Sequence, residues 1–147
     1  MNVEIISEPF QLAVHGFGGV AGNRNYAETA FRLSGQTWDF VKKAGLKNKG
    51  KNIWIYDTGD RVFAGLELEH DARDQDLHDL EKLTLNLPKY AYFNHIGPYR
   101  HIKQAGQIMT NRLGEMGFET TLPYVEIYGH WTNDEKKLST ELLMCLK

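Results

Sequence analysis

Two glutamates near the C-terminal end of the sequence stand among aromatic and aliphatic residues, where a carboxylate is costly to hold. Glu126 lies in YVEIY (124–128), and Glu141 lies in STELLMCL (139–146). A carboxylate that is partly removed from water needs a hydrogen-bond donor or a positive charge. A cation about 4 Å away would contribute roughly 4 kcal/mol at an effective dielectric constant of 20. This chemistry favours the binding of positively charged small molecules.

Aromatic residues accompany these glutamates at the two-residue spacing of a β-strand, which places side chains on one face. The aliphatic residues that alternate with them are predicted to face helices, and the aromatic and acidic residues to share the open face of a sheet. Each ring face would add about 0.5 to 2 kcal/mol of cation-π attraction. The rings could instead form a cross-strand cluster that only stabilises the sheet. The predicted ligand-binding residues are Trp54, Tyr56, Tyr92, Glu126, Tyr128, Trp131 and Glu141.

Composition and charge limit the class of protein. A chain of 147 residues fits a single domain, 1–147, and its formal net charge is −2. That charge does not favour direct contact with nucleic acid or with an anionic membrane surface. No apolar run approaches the roughly 20 residues of a spanning helix, and the lone Cys145 cannot form an internal disulfide. We expect a cytoplasmic protein that contacts neither nucleic acid nor membrane directly.

The elements that must position these residues follow from hydrophobic periodicity. FQLAVHG (10–16) predicts a strand that ends in the glycine-rich loop GFGGVAG (16–22), and residues 52–69 predict a hairpin around DTGD. Apolar spacings of three and four predict one helix that ends at Gly45 and another that ends near Gly117. Further strands are predicted in LTLNLP, KYAYFNHIG, YVEIYGHW and STELLMCL.

The order strand, helix, hairpin occurs twice, over about 10–69 and 83–147. Such a repeat predicts duplication of one βαββ unit. Two units can join edge to edge in one antiparallel sheet with both helices on one face. The predicted fold class is therefore α+β, with duplicated βαββ repeats in a single antiparallel sheet.

One stretch carries a family resemblance. YAYFNHIGPYRHI (90–102), followed by a helix and then by YVEIYG and TELLMCL, resembles the second half of the GyrI-like effector-binding domain. The resemblance covers about residues 10–146, and its most diagnostic pieces are HIGPY (95–99) and the acidic residue of the last strand. Such domains form the ligand-sensing halves of AraC-type and MerR-type multidrug regulators, and they also occur alone. This chain is similar to the free-standing form, including drug-binding modules on mobile gene cassettes, because no helix-turn-helix precedes the domain.

The resemblance implies a groove between the two halves that binds bulky lipophilic cations, with no cofactor and no metal. In cation-binding relatives a glutamate of the penultimate strand meets the positive charge, and the matching residue here is Glu126. The acidic position of the last strand matches Glu141, where relatives often carry an aromatic residue. The resemblance further implies a regulator or homodimer partner and a role in transcriptional regulation or drug resistance. We expect a binding protein rather than an enzyme.

Two alternatives of other classes remain open. Some free-standing relatives hydrolyse strained electrophilic rings, and Glu126 would then be the base, assisted by Tyr128 or Trp131. Other relatives bind a topoisomerase, for which the acidic segment 69–81 would serve, although a solvated connector also explains it. Dinucleotide binding is excluded because the glycines at 16, 18 and 22 miss the required G-x-G-x-x-G spacing.

Overall fold

A computed structural model describes residues 1–69 and 79–147. The acidic segment 69–81, described above as a connector or interaction surface, lies largely outside the described residues. These described residues form eight strands and two α-helices, so the predicted α+β class is confirmed. In chain order the elements are β1 Glu4–Ile6, β2 Phe10–Val20, α1 Tyr26–Ala44, β3 Asn52–Asp57, β4 Arg61–Leu66, β5 Glu81–Leu87, β6 Tyr90–Ile96, α2 Ile102–Glu115, β7 Thr120–Tyr128 and β8 Ser139–Leu146.

All eight strands belong to one antiparallel sheet, in the order β1-β6-β8-β7-β3-β4-β2-β5. The two central strands, β3 and β7, come from the two predicted repeats. On either side the strands follow in matching order, β8 and β6 beyond β7, β4 and β2 beyond β3. The edge strand β1 lies near the N-terminus and pairs with β6 of the C-terminal half of the chain. The other edge strand, β5, belongs to the C-terminal half and pairs with β2 of the N-terminal half. The predicted duplication of the sequence itself stays a prediction.

Both helices pack on the same face of this sheet. Residues that lie directly opposite each other on paired strands project to one side, and Ala64, Trp54, Glu126 and Leu142 form such a row across β4, β3, β7 and β8. At one end of the row Ala64 packs in a buried cluster with α1. At the other end Leu142 packs in a cluster with α2. The site predicted for the open face therefore lies on the helix-covered face.

Among the described residues, the opposite face is buried by strands and not by a helix. Its core cluster contains strand residues of the sheet, and the Phe10 and Tyr90 rings, from β2 and β6, lie 5.8 Å apart between centroids. Four strands separate these two in the sheet order, so the sheet must bend strongly to bring them together. For the aliphatic residues of β3 and β7 the prediction that they face the helices is therefore wrong, because the curled sheet itself buries them. They are Ile53, Ile55, Val125 and Ile127. The same prediction is confirmed on β8, where Leu142, Met144 and Leu146 pack in the cluster with α2.

The glycine-rich segment after residue 16 is strand and not loop. β2 continues to Val20 and pairs with β4 along this segment, with Gly16 opposite Gly65. A Cβ on Gly16 would lie 2.2 Å from the carbonyl oxygen of Ala64, and one on Gly65 would lie 2.5 Å from that of His15. The glycines thus permit a close backbone approach in the bent sheet, a role glycine often has inside strands.

The helix boundaries follow the predicted signals. α1 ends at Gly45, whose φ of +66° gives the left-handed C-terminal cap expected of glycine. The short turn Tyr99–His101 leads into α2 after Pro98, and Gly117 follows that helix with φ of +86°. The three-residue strand β1 was not predicted, because so short a segment shows no periodicity. Among the described residues, no helix has the length and apolar character needed to cross a membrane.

Candidate functional site

A cavity of about 1290 Å³ lies between α1 and α2, with the central strands β3 and β7 beneath it. It is somewhat larger than the 300–1000 Å³ of common small-molecule sites. Its lining includes four aromatic residues on the central strands, and it is mostly small or polar where α2 borders it. The lining residues of these four elements are Tyr26, Ala27, Glu28 and Phe31 from α1, Asn52, Trp54, Tyr56 and Asp57 from β3, Ile102, Lys103, Gly106, Gln107 and Thr110 from α2, and Thr120, Thr121, Leu122, Tyr124, Glu126 and Tyr128 from β7.

Glu126 lies where the two helix-packed clusters meet, and three tyrosine hydroxyls donate to its carboxylate. Oε1 accepts from Tyr128 at 2.7 Å and from Tyr56 at 3.3 Å, and Oε2 accepts from Tyr124 at 2.8 Å. Only 8% of Glu126 is exposed, yet it borders the cavity. Across residues 1–69 and 79–147, no lysine, arginine or histidine forms an ion pair with it. Neutral donors therefore hold the anion without cancelling its charge.

The same three tyrosines have strongly altered acidity. Burial is the largest cause that raises the pKa of Tyr56, Tyr124 and Tyr128 above the ordinary value, and the negative charge of Glu126 raises each pKa further. A tyrosinate beside a buried carboxylate would place two like charges together in a medium that screens them poorly. The hydroxyls consequently stay protonated and keep donating to Glu126.

The aromatic rings around Glu126 pack on one another and also border the cavity. Trp54 and Tyr128 lie edge to face with centroids 4.8 Å apart, and Tyr56 stacks on Tyr124 at 5.8 Å. The indole Nε1 of Trp54 is buried and has no hydrogen-bond partner within 1–69 and 79–147. The structural and ligand-lining interpretations of these rings are thus compatible, since each ring contacts a neighbouring ring and also borders the cavity.

Four of the seven residues predicted for the ligand site border this cavity: Trp54, Tyr56, Glu126 and Tyr128. Glu141 lies elsewhere, contrary to the prediction of one shared surface. It is directly opposite Ile127 on the neighbouring strand, while Glu126 is opposite Leu142. Glu141 and Glu126 therefore project from opposite faces of the sheet. The Tyr92 hydroxyl donates to Glu141 at 2.7 Å, so this predicted pair stays together away from the cavity.

Trp131 is the remaining predicted residue, and it does not border the cavity. It lies in the connection after β7 with 75% of its surface exposed. The alternation of side chains along a strand does not apply to Trp131, because β7 ends at Tyr128.

Four aromatic residues that border the cavity were not among the predicted site residues: Tyr26 and Phe31 of α1, Tyr99 and Tyr124. Tyr124 is two residues before Glu126, and the same alternation that grouped Glu126 with Tyr128 includes it. Tyr99 of the HIGPY motif also lines the cavity, with its ring edge-on to Tyr128 at a centroid distance of 5.4 Å. This contact holds Tyr99 against strand β7 of the sheet. Its position at the cavity is a consequence of the turn before α2.

The charged residues around the cavity are mainly acidic. Within the part of the chain that the structure describes, four carboxylates border it, from Glu28, Asp57, Asp60 and Glu126, against two basic residues, Arg24 and Lys103. The Asp60 carboxylate accepts a hydrogen bond from Tyr26 at 2.6 Å. The excess of acidic groups favours a positively charged molecule within the cavity.

Two other features of the described residues, a second cavity and the possibility of a metal site, contribute nothing to the candidate site. A smaller cavity of about 610 Å³ lies beside the C-terminal half of α1, bordered by Phe17, Phe40 and Asp79 among others, and includes none of the predicted site residues. Among the residues that the structure describes, no three His, Cys, Asp or Glu side chains cluster in a way that would hold a metal ion.

Comparisons with known proteins agree with this architecture. The structure of SAV2435 bound to tetraphenylphosphonium is similar with a TM-score of 0.72, at 17% identity over 100% of this chain and 94% of that chain. The EcmrR C-terminal domain gives 0.73, at 15% identity over 100% and 99%. A hydrolase from Listeria innocua gives 0.59, at 13% identity over 99% and 91%. At such identities these likenesses show the fold alone.

Sequence comparison extends the agreement to a family. No curated protein is significantly similar in sequence. A family model described as a GyrI-like small molecule binding domain matches residues 19–147, which is most of the chain. This chain therefore belongs to the GyrI-like family of small-molecule-binding domains.

Proposed function

We propose that this protein binds bulky lipophilic cations in the cavity between α1 and α2, and that it senses or sequesters them without changing them. The observation that carries the proposal is the Glu126 carboxylate, which is 8% exposed, borders the cavity and accepts three tyrosine hydrogen bonds but no ion pair from the described residues. The similarly folded SAV2435, which was determined bound to tetraphenylphosphonium, supports the same ligand class.

The energetics of this site favour charge and apolar area over particular functional groups. A cation about 4 Å from Glu126 gains roughly 4 kcal/mol at an effective dielectric constant of 20. The surrounding tyrosine and tryptophan faces add about 0.5 to 2 kcal/mol each where a cation lies over them. Area burial adds roughly 25 cal/mol per Å² without regard to chemical identity. We expect a broad range of aromatic and lipophilic cations to bind.

A charge-removing substitution with a matched control tests the proposal. Glu126→Gln keeps the size of the side chain and removes its charge, so we expect tetraphenylphosphonium to bind roughly 10- to 1000-fold more weakly. Glu141→Gln makes the same change on another tyrosine-bonded strand glutamate, on the face away from the cavity. It should bind tetraphenylphosphonium like the unaltered protein. Calorimetry gives the affinities, and ligand at a hundred times Kd should stabilise the unaltered protein by about 2.7 kcal/mol.

Two results would contradict the charge-selective mechanism. One is binding of neutral triphenylphosphine oxide with the same affinity as tetraphenylphosphonium. The other is an equal loss of affinity in the Glu126→Gln and Glu141→Gln variants, since only Glu126 borders the cavity. Thermal unfolding of both variants without ligand verifies that each remains folded.

Hydrolysis of electrophilic compounds is a second candidate, favoured by the juxtaposition of a carboxylate and tyrosine hydroxyls in one cavity. Glu126 would be the base, and the Tyr124 or Tyr128 hydroxyl would orient the substrate. The expected assistance from Trp131 is not available, because that residue lies outside the cavity. Both oxygens of the carboxylate already accept tyrosine hydrogen bonds, which leaves fewer positions for a water that it would activate. Consumption of a strained-ring substrate, lost in Glu126→Gln, would favour hydrolysis over simple binding.

A further inference from the structure

One residue of α2 that borders the cavity is a glycine, which leaves space there. The helix itself does not require a glycine at this position. The buried core face of α2 consists of Ile102, Ala105, Met109 and Leu113. A second face, with residues spaced by three, four and seven, borders the cavity: Lys103, Gly106, Gln107 and Thr110. Gly106 is the member of this second face without a side chain.

The backbone gives no reason for a glycine at position 106. Gly106 lies inside α2 and is not one of the glycines with positive φ. A Cβ placed there would have its nearest neighbours at 3.9 Å, the Met144 Cε and the Tyr124 hydroxyl, which is ordinary van der Waals contact. Glycine in a helix interior is less favourable than alanine. Neither helix geometry nor tight packing therefore accounts for it.

A side chain at this position would extend over the residues that hold the central carboxylate. The Tyr124 hydroxyl, one of the two nearest neighbours of such a Cβ, donates to Glu126 Oε2 at 2.8 Å. The missing side chain thus leaves open the part of the cavity next to the charge. A cation with several large substituents needs this space, because its substituents surround the charge on all sides.

We propose that Gly106 is a specificity-determining residue, which admits cations whose charge is surrounded by bulky groups. The inference rests on the proposed cation-binding function. It adds the residue that limits the size of the bound cation. Residue 106 affects ligand binding only through the volume of its side chain, since glycine has no charged or polar side-chain group. The small and bulky members of a cation series should therefore respond differently to substitution.

The test compares Gly106→Leu with Gly114→Leu. Gly114 lies in the same helix, is exposed and has no atom within 4 Å of a Cβ placed there. Its substitution by leucine therefore changes the helix propensity in the same way but adds no side chain to the cavity. We expect Gly106→Leu to weaken tetraphenylphosphonium binding by about tenfold or more, the usual cost of overpacking. Binding of the smaller benzyltrimethylammonium should change by less than about threefold. Gly114→Leu should leave both affinities unchanged.

Gly106→Ala supplies a graded variant that is expected to fold, since its methyl group makes only ordinary contacts. Its affinity for tetraphenylphosphonium should fall between the affinities of the unaltered protein and of Gly106→Leu. The inference is overturned if Gly106→Leu binds tetraphenylphosphonium as tightly as the unaltered protein, or if it weakens both cations equally. Failure of the unaltered protein to bind either cation would instead overturn the proposed function, which separates the two results.

Discussion

At the scale of residues, the central feature is an anion stabilised by neutral groups. Tyr56, Tyr124 and Tyr128 supply hydrogen bonds to Glu126, and such bonds to a charged acceptor are stronger than those between neutral groups. An arginine or lysine in their place would satisfy the carboxylate and leave little field for a ligand. The tyrosines hold the glutamate while its full negative charge remains directed at the cavity.

This arrangement predicts a loss of stability at alkaline pH. The folded state raises the pKa of Tyr56, Tyr124 and Tyr128, mainly by burial, so above about pH 10 it binds more protons than the unfolded chain. The free energy of unfolding should therefore be unaffected by these groups below about pH 10 and should fall as pH rises further. Each tyrosine that stays protonated contributes at most about 1.4 kcal/mol per pH unit.

Urea unfolding across this alkaline range measures the slope, and tyrosinate absorbance follows ionisation directly. Tyr124→Phe should reduce the slope, because phenylalanine has no proton to lose. A slope that is identical in Tyr124→Phe and the unaltered protein would show that this tyrosine is not held protonated by folding.

At the scale of elements, α1 shows how local signals place one wall of the cavity. Ala30, Leu33, Thr37 and Val41 are buried at helical spacing, which leaves the N-terminal end of the helix, including Tyr26 and Phe31, at the cavity. Phe31 is 74% exposed there. The predicted helix and its terminal glycine are confirmed, since periodicity and capping are properties of neighbouring residues.

Two glycines of this element should respond oppositely to alanine. Gly45 caps α1 with φ of +66°, where a Cβ is strained, so Gly45→Ala should destabilise the protein by about 1 to 2 kcal/mol. Gly35 is exposed within the helix, with no atom within 4 Å of an added Cβ, so Gly35→Ala should stabilise it by up to about 1 kcal/mol. Chemical denaturation gives both values. Changes of the same sign would contradict this account of the helix.

At the scale of the whole molecule, one sheet forms two cores. The helices cover one face and leave the cavity between them, while the bent sheet covers its own other face. Bending brings β2 and β4 close together at Gly16 and Gly65. The floor of the cavity is thus supported from behind by a second apolar core.

A substitution at this close approach should destabilise the entire fold. A Cβ at Gly16 would lie 2.2 Å from a backbone oxygen, so Gly16→Ala forces the backbone to move and should cost about 1 to 3 kcal/mol or more. Gly19→Ala in the same strand is the control, because its nearest neighbour is the Leu33 side chain at 3.6 Å, an ordinary contact. Urea unfolding compares the two. A Gly19→Ala variant as unstable as Gly16→Ala would refute the steric explanation.

The sequence by itself determined both helices, the hairpin, all but the shortest strand and the grouping of Glu126 with Tyr128, which border the candidate site. These depend on periodicity, caps and turns that are local to each segment. Only the tertiary structure decided which face of the sheet carries the site, that Glu141 lies opposite Ile127, and that Gly106 approaches Tyr124. The reason is strand register, because a shift of one residue in pairing moves a side chain to the other face. The pairing of β7 with β8, and the bend that buries the second face, are contacts between distant residues that local patterns do not encode.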